Sequence, residues 1–80
     1  MSLLTAVFKR ILGLCQENDI TVNKLCTMAG VTQSTIDSIL KGKSKNPGIC
    51  TIKKLCDALD ITIIVFFNHS FFKDLDIDIN

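Results

Sequence analysis

Eighty residues with 48% hydrophobic and 21% charged side chains allow one domain with a modest core. No apolar run approaches the roughly 18 residues of a membrane span, and Lys9 and Arg10 follow the first apolar residues rather than preceding them as in a cleavable signal, so a cytoplasmic protein is expected. The net charge of +1 is too small to argue for nucleic acid by itself, but five lysines and no acid lie between Ser38 and Cys56, whereas Asp74, Asp76 and Asp78 stand among the last seven residues with no base.

Leu3 to Asn18 reads as a first helix. Leu4, Phe8, Ile11, Leu12 and Cys15 recur at helical spacing, and Lys9, Arg10, Gln16 and Glu17 fall elsewhere. Gly13 inside it costs about 1 kcal/mol relative to Ala; a close helix contact would account for it. Asn18-Asp19 ends the helix and Ile20 anchors the turn. From Thr21 to Gly42 the chain reads as two short helices joined by a tight turn. Thr21 is placed to cap the first, where Val22, Leu25 and Cys26 form one apolar face. Gly30 ends it, since glycine takes the left-handed conformation without strain. Thr32 is placed to cap the second, with Ile36, Ile39 and Leu40 as its stripe and Gly42 just past its end.

Gln33, Ser34, Thr35, Asp37, Ser38 and Lys41 remain on the outer side of that second helix. A helix needing only solubility would more often carry Glu and Lys there. Gln, Ser and Thr hydrogen-bond base edges and phosphates, and the pair of helices is arranged as a helix-turn-helix. Cys26, Gly30, Val31, Ile36 and Ile39, the Thr32-Gln33-Ser34 start and the Gly42-Lys43-Ser44-Lys45-Asn46-Pro47 loop together resemble the Cro/C1-repressor-like (XRE-type) family of regulators. Cys26 stands where Ala is usual in that family. The resemblance runs from about Thr5 to about Asn68.

It implies an all-α fold, a compact five-helix lambda-repressor-like DNA-binding domain over residues 1–68, with a C-terminal extension over 69–80. After Pro47-Gly48, Ile49, Ile52, Leu55, Cys56 and Leu59 mark a fourth helix of about ten residues. In the family its N-terminus lies against the sugar-phosphate backbone, where free N–H groups favour a phosphate. Ile61 to Phe67 is β-prone by composition; the resemblance makes it a fifth helix starting near Thr62, with Ile63, Phe66 and Phe67 inward and Ile64 and Val65 exposed.

Beyond Asn68, Phe71, Phe72 and Leu75 need burial, and Asp74 to Ile79 alternates polar and apolar, which reads as either a short strand or an extended tail. His69 reads as a loop or helix-end residue. Cys15, Cys26, Cys50 and Cys56 form no CxxC pair and sit among apolar neighbours, so all four read as buried free thiols, with no metal site and no cofactor.

The expected function is a sequence-specific DNA-binding transcriptional regulator, a repressor, reading a palindromic operator as a homodimer. Gln33, Ser34, Thr35 and Ser38 would read bases. Thr21, Asn23, Thr32, Lys41, Lys43 and Lys45 would hold phosphates. Ile64, Val65, Phe71, Phe72, Leu75 and Ile77 would form the dimer interface. The alternative is an antitoxin or other protein-interaction module using its hydrophobic C-terminus. One histidine and no Gly-rich phosphate loop give little basis for an enzyme.

Overall fold

The computed structural model describes residues 1–40 and 48–75, the side chains of Gln33, Ile39 and Leu40 excepted. Among the described residues there are five α-helices, one 3-10 turn and no strand. The helices are α1 (Leu3–Glu17), α2 (Val22–Ala29), α3 (Gln33–Leu40), α4 (Ile49–Ala58) and α5 (Ile63–Phe67), and the 3-10 turn is Ser70–Phe72.

Short hydroxyl side chains start four of the helices. Ser2 accepts from the Thr5 N–H at 3.2 Å, Thr21 from Lys24 at 3.0 Å, Thr32 from Thr35 at 3.3 Å and Thr62 from Val65 at 3.0 Å. Each such cap is worth about 0.5–2 kcal/mol. The ends of α1, α2 and α4 share one device. Ile20, Val31 and Ile61 each donate a backbone N–H, at 3.0 Å, to the carbonyl of a cysteine five residues earlier, Cys15, Cys26 and Cys56 respectively. The preceding residue is left-handed in every case: Asp19 at φ 55°, Gly30 at φ 68° and Asp60 at φ 57°. This is the Schellman closure, with an apolar residue folded back against the last turn.

The core gathers one face of each helix. Ala6, Val7, Ile11, Leu14 and Cys15 come from α1, Leu25 and Cys26 from α2, Ile36 from α3, Ile52, Leu55 and Cys56 from α4, and Phe66 from α5. α2 packs on α4, and α1 on α2, α3 and the 3-10 turn. Burying Phe66 completely is worth about 1.5–3 kcal/mol.

Four expectations need correction. The buried face of α1 runs through Val7, Arg10 and Leu14, leaving Phe8 and Leu12 half-buried. That helix is apolar on two flanks, so spacing alone does not choose between them. Arg10, expected outside, is only 8% exposed, because main-chain acceptors meet its head group. Gly13 makes no close helix contact, since a Cβ there would meet nothing within 4 Å. Cys50 is exposed and Ile49 is 58% exposed, because the stripe of α4 runs off the edge of the core in its first turn.

Beyond α5, the alternating segment forms no strand as far as Leu75; the rest of it, Ile77 included, lies outside the described residues. Phe72 turns onto its own chain, its ring centroid 5.0 Å from Phe67 and 6.2 Å from Phe66.

Candidate nucleic-acid interface

Three residues, Gly30, Val31 and Thr32, separate α2 from α3. Left-handed Gly30 turns the chain, and Val31, partly buried against the core, fixes where α3 begins. Ile36, completely buried, anchors α3 on α1 and α2. At about 100° per residue, Ser34 and Ser38 lie roughly 160° around the helix from Ile36, to either side of its outermost line. Ser34 is exposed and Ser38 half-buried. Thr35 is half-buried, and its hydroxyl lies 2.9 Å from that of Thr32, so these two groups brace the first turn.

Gln33 is the first residue of α3, and its side chain lies outside the described residues, as do Lys41, Lys43 and Lys45 entirely. Thr21 and Asn23 are exposed at the start of α2. The Thr21 hydroxyl takes the Lys24 N–H, while the Val22 and Asn23 N–H groups have no partner among the described residues. A helix start of this kind is suited to an anion.

Gly48 begins α4 without a side-chain cap. A Cβ there would meet only the Thr51 Oγ1, at an ordinary 3.9 Å, so packing does not demand glycine. Lys53 is paired with Asp57 one turn on, both exposed, and so solvates the outside of α4.

The residues expected at a dimer interface divide. Ile64, 79% exposed, and Val65 face outward from α5. Phe72 packs, half-buried, against the core of its own chain, and Phe71 is half-buried with its ring centroid 4.1 Å from that of His69. The thiols of Cys15, Cys26 and Cys56 are pushed above the ordinary cysteine value, mainly by burial, with smaller contributions from Cys26, Asp37 and Asp57 respectively. They stay protonated and unreactive at neutral pH.

The residue that sequence reasoning missed is Arg10. Its signal was its register, three after Val7 and four before Leu14 on the buried line.

The sequence profile of the Cro/C1-type HTH DNA-binding domain matches residues 10–64. The chain belongs to that family. Within this Cro/C1-type domain the match takes in α2 through α4 whole, together with the greater part of α1 and the start of α5. The chain is 42% identical over 53 residues to the HTH-type transcriptional repressor RghR of Bacillus subtilis (strain 168). That match covers 66% of this chain and 39% of RghR, so the likeness spans well under half of the curated relative. Among solved structures, the prophage Lp1 protein 11 superposes with a TM-score of 0.83 at 32% identity, covering 94% of this chain and all of that one.

Proposed function

We propose that this Cro/C1-type domain is a sequence-specific transcriptional regulator, a repressor, that binds a palindromic operator as a homodimer in the cytoplasm. The observation that carries the reading is α3 itself, pinned by buried Ile36 and presenting short polar side chains opposite it. A helix so presented enters the major groove, where Gln33 pairs with adenine N6 and N7 and Ser34, Thr35 and Ser38 reach neighbouring groups. Thr21, Asn23 and Thr32 meet phosphates at two helix starts, and Lys41, Lys43 and Lys45 neutralise others, giving affinity without sequence preference. The repressor function in RghR's name supports the regulatory role.

Two-fold pairing doubles the contacts over half-sites one helical turn apart. Ile64 and Val65 supply its apolar surface, with residues 1–68 as the DNA-binding unit. Selection of a random duplex library on the purified protein, at low and moderate salt, tests the proposal. A palindrome with A·T pairs opposite Gln33 is expected. Salt-sensitive retention with no enriched site would overturn it.

A second reading, an interaction module such as an antitoxin, draws on the exposure of Ile64 and Val65. A stable heteromeric complex that Ile64→Glu dissolves, with no enriched DNA site, would favour it.

A further inference from the structure

A half-open groove of about 280 Å³ lies between the outer side of α1 and the start of the 3-10 turn. Lys9, Arg10, Leu12 and Gly13 line it on one side, His69 and Phe71 on the other. Neither α3 nor Ile64 and Val65 contributes to its lining.

Three observations give it a chemistry. The first is Gly13. Glycine within a helix costs about 1 kcal/mol, and no neighbour approaches closely enough to require it here. What glycine does at this position is leave space in the wall of the groove.

The second is Arg10. It is more than nine-tenths buried, yet among the described residues no carboxylate lies within ion-pair distance of it. Its bonds go to two neutral carbonyls, from Nε to Phe66 and from Nη2 to Val65. A guanidinium has five N–H donors, and these two bonds occupy two of them.

The third is the aromatic wall. His69 Nδ1 accepts the Phe71 N–H at 3.1 Å, which places the proton of the neutral ring on Nε2 and holds imidazole and phenyl together. Lys9 adds an exposed cation, and Glu17 is the single acid of the lining.

We infer that this groove binds a small organic carboxylate with an aromatic or apolar body. Its carboxylate meets Arg10 and Lys9, and its body lies over Gly13 between Leu12 and Phe71. At about 280 Å³ the groove has room for a ligand the size of benzoate.

The probe is benzoate, titrated into the isotope-labelled full chain and followed by NMR, with benzyl alcohol as its neutral counterpart. Saturable shifts of the Gly13 amide and the His69 ring are expected, with a dissociation constant below about 20 mM and benzyl alcohol at least about tenfold weaker. Gly13→Leu, which favours the helix while filling the groove, should weaken binding by at least about tenfold. Lys9→Glu, on an exposed side chain, should weaken it severalfold without changing the fold. Absence of saturation, equal binding of benzyl alcohol, or full affinity in Gly13→Leu would each overturn the inference.

Discussion

Arg10 Nε donates to the Phe66 carbonyl at 2.8 Å, joining residues 56 positions apart in the chain. Its Nη2 donates to the Val65 carbonyl at 3.1 Å, so one side chain of α1 closes the C-terminal end of α5. The cation meets the negative end of the helix while its stem packs in the core.

Arg10→Ala is therefore expected to destabilise the domain by about 2–4 kcal/mol, through lost charge-assisted hydrogen bonds and lost packing. At about 4–8 °C per kcal/mol for a domain of this size, melting should fall by roughly 8–32 °C. Arg10→Lys should recover little of this, because an ammonium lacks the planar fork. Thermal melts followed by circular dichroism decide it, and a loss below about 1 kcal/mol would show that the two bonds contribute little.

Asp19 and Asp60 hold left-handed conformations that glycine takes without strain. Asp19→Gly and Asp60→Gly should each stabilise by roughly 0.5 kcal/mol, after allowance for the extra freedom of glycine in the unfolded chain. Gly30→Ala should act oppositely, costing about 1 kcal/mol. Urea midpoints measured on the three variants provide the comparison.

Gly13→Ala should stabilise by about 1 kcal/mol, since the added methyl meets no neighbour. An unchanged or lowered urea midpoint would mean that α1 is constrained there in some other way.

The helix-turn-helix was legible because each of its parts leaves a local trace: apolar residues three and four apart, hydroxyls at helix starts, a glycine at the turn. Arg10 was not, because its partners are main-chain carbonyls, which every residue possesses and no sequence distinguishes. The exposure of Ile49 and Cys50 was hidden for another reason, since periodicity tells which side of a helix is apolar but not where the neighbouring layer stops. On the candidate interface, Ser34 and Ser38 stand where helical spacing put them, opposite Ile36. The roles of Gln33, Lys41, Lys43 and Lys45 rest on sequence, as their side chains lie outside the described residues.

Cys50 should be the fast-reacting thiol of the native protein. Alkylation at neutral pH is expected to modify it first, with Cys15, Cys26 and Cys56 following only after denaturant. Those three also set an alkaline limit. Unfolded, each releases its proton near the ordinary value of about 9.0; folded, it holds the proton to higher pH. Their contribution to stability is thus complete below about pH 9 and is lost as pH rises beyond it. Urea denaturation between about pH 8 and pH 10, roughly one unit either side of that value, should show the decline, and its absence would mean that the buried thiols ionise as freely as exposed ones.

Gln33→Ala should cost roughly 1–3 kcal/mol on the selected operator and relax preference at one base pair per half-site. Lys43→Ala should weaken all sequences alike and lower the salt slope by about one. Quantitative binding to the operator and its single-base variants separates the two, and unchanged base preference in Gln33→Ala would remove it from the reading role.

The links between successive helices from α1 to α3 are only a few residues long, and helical domains of such local connectivity fold in roughly microseconds to milliseconds. Ribosomes add about 5–20 residues per second. The last large side chain of the core, Phe66, and both acceptors of Arg10 come late in the chain. During synthesis the first four helices therefore wait, incompletely covered, for α5 to emerge. The pace of translation, rather than any search among conformations, sets when the domain closes.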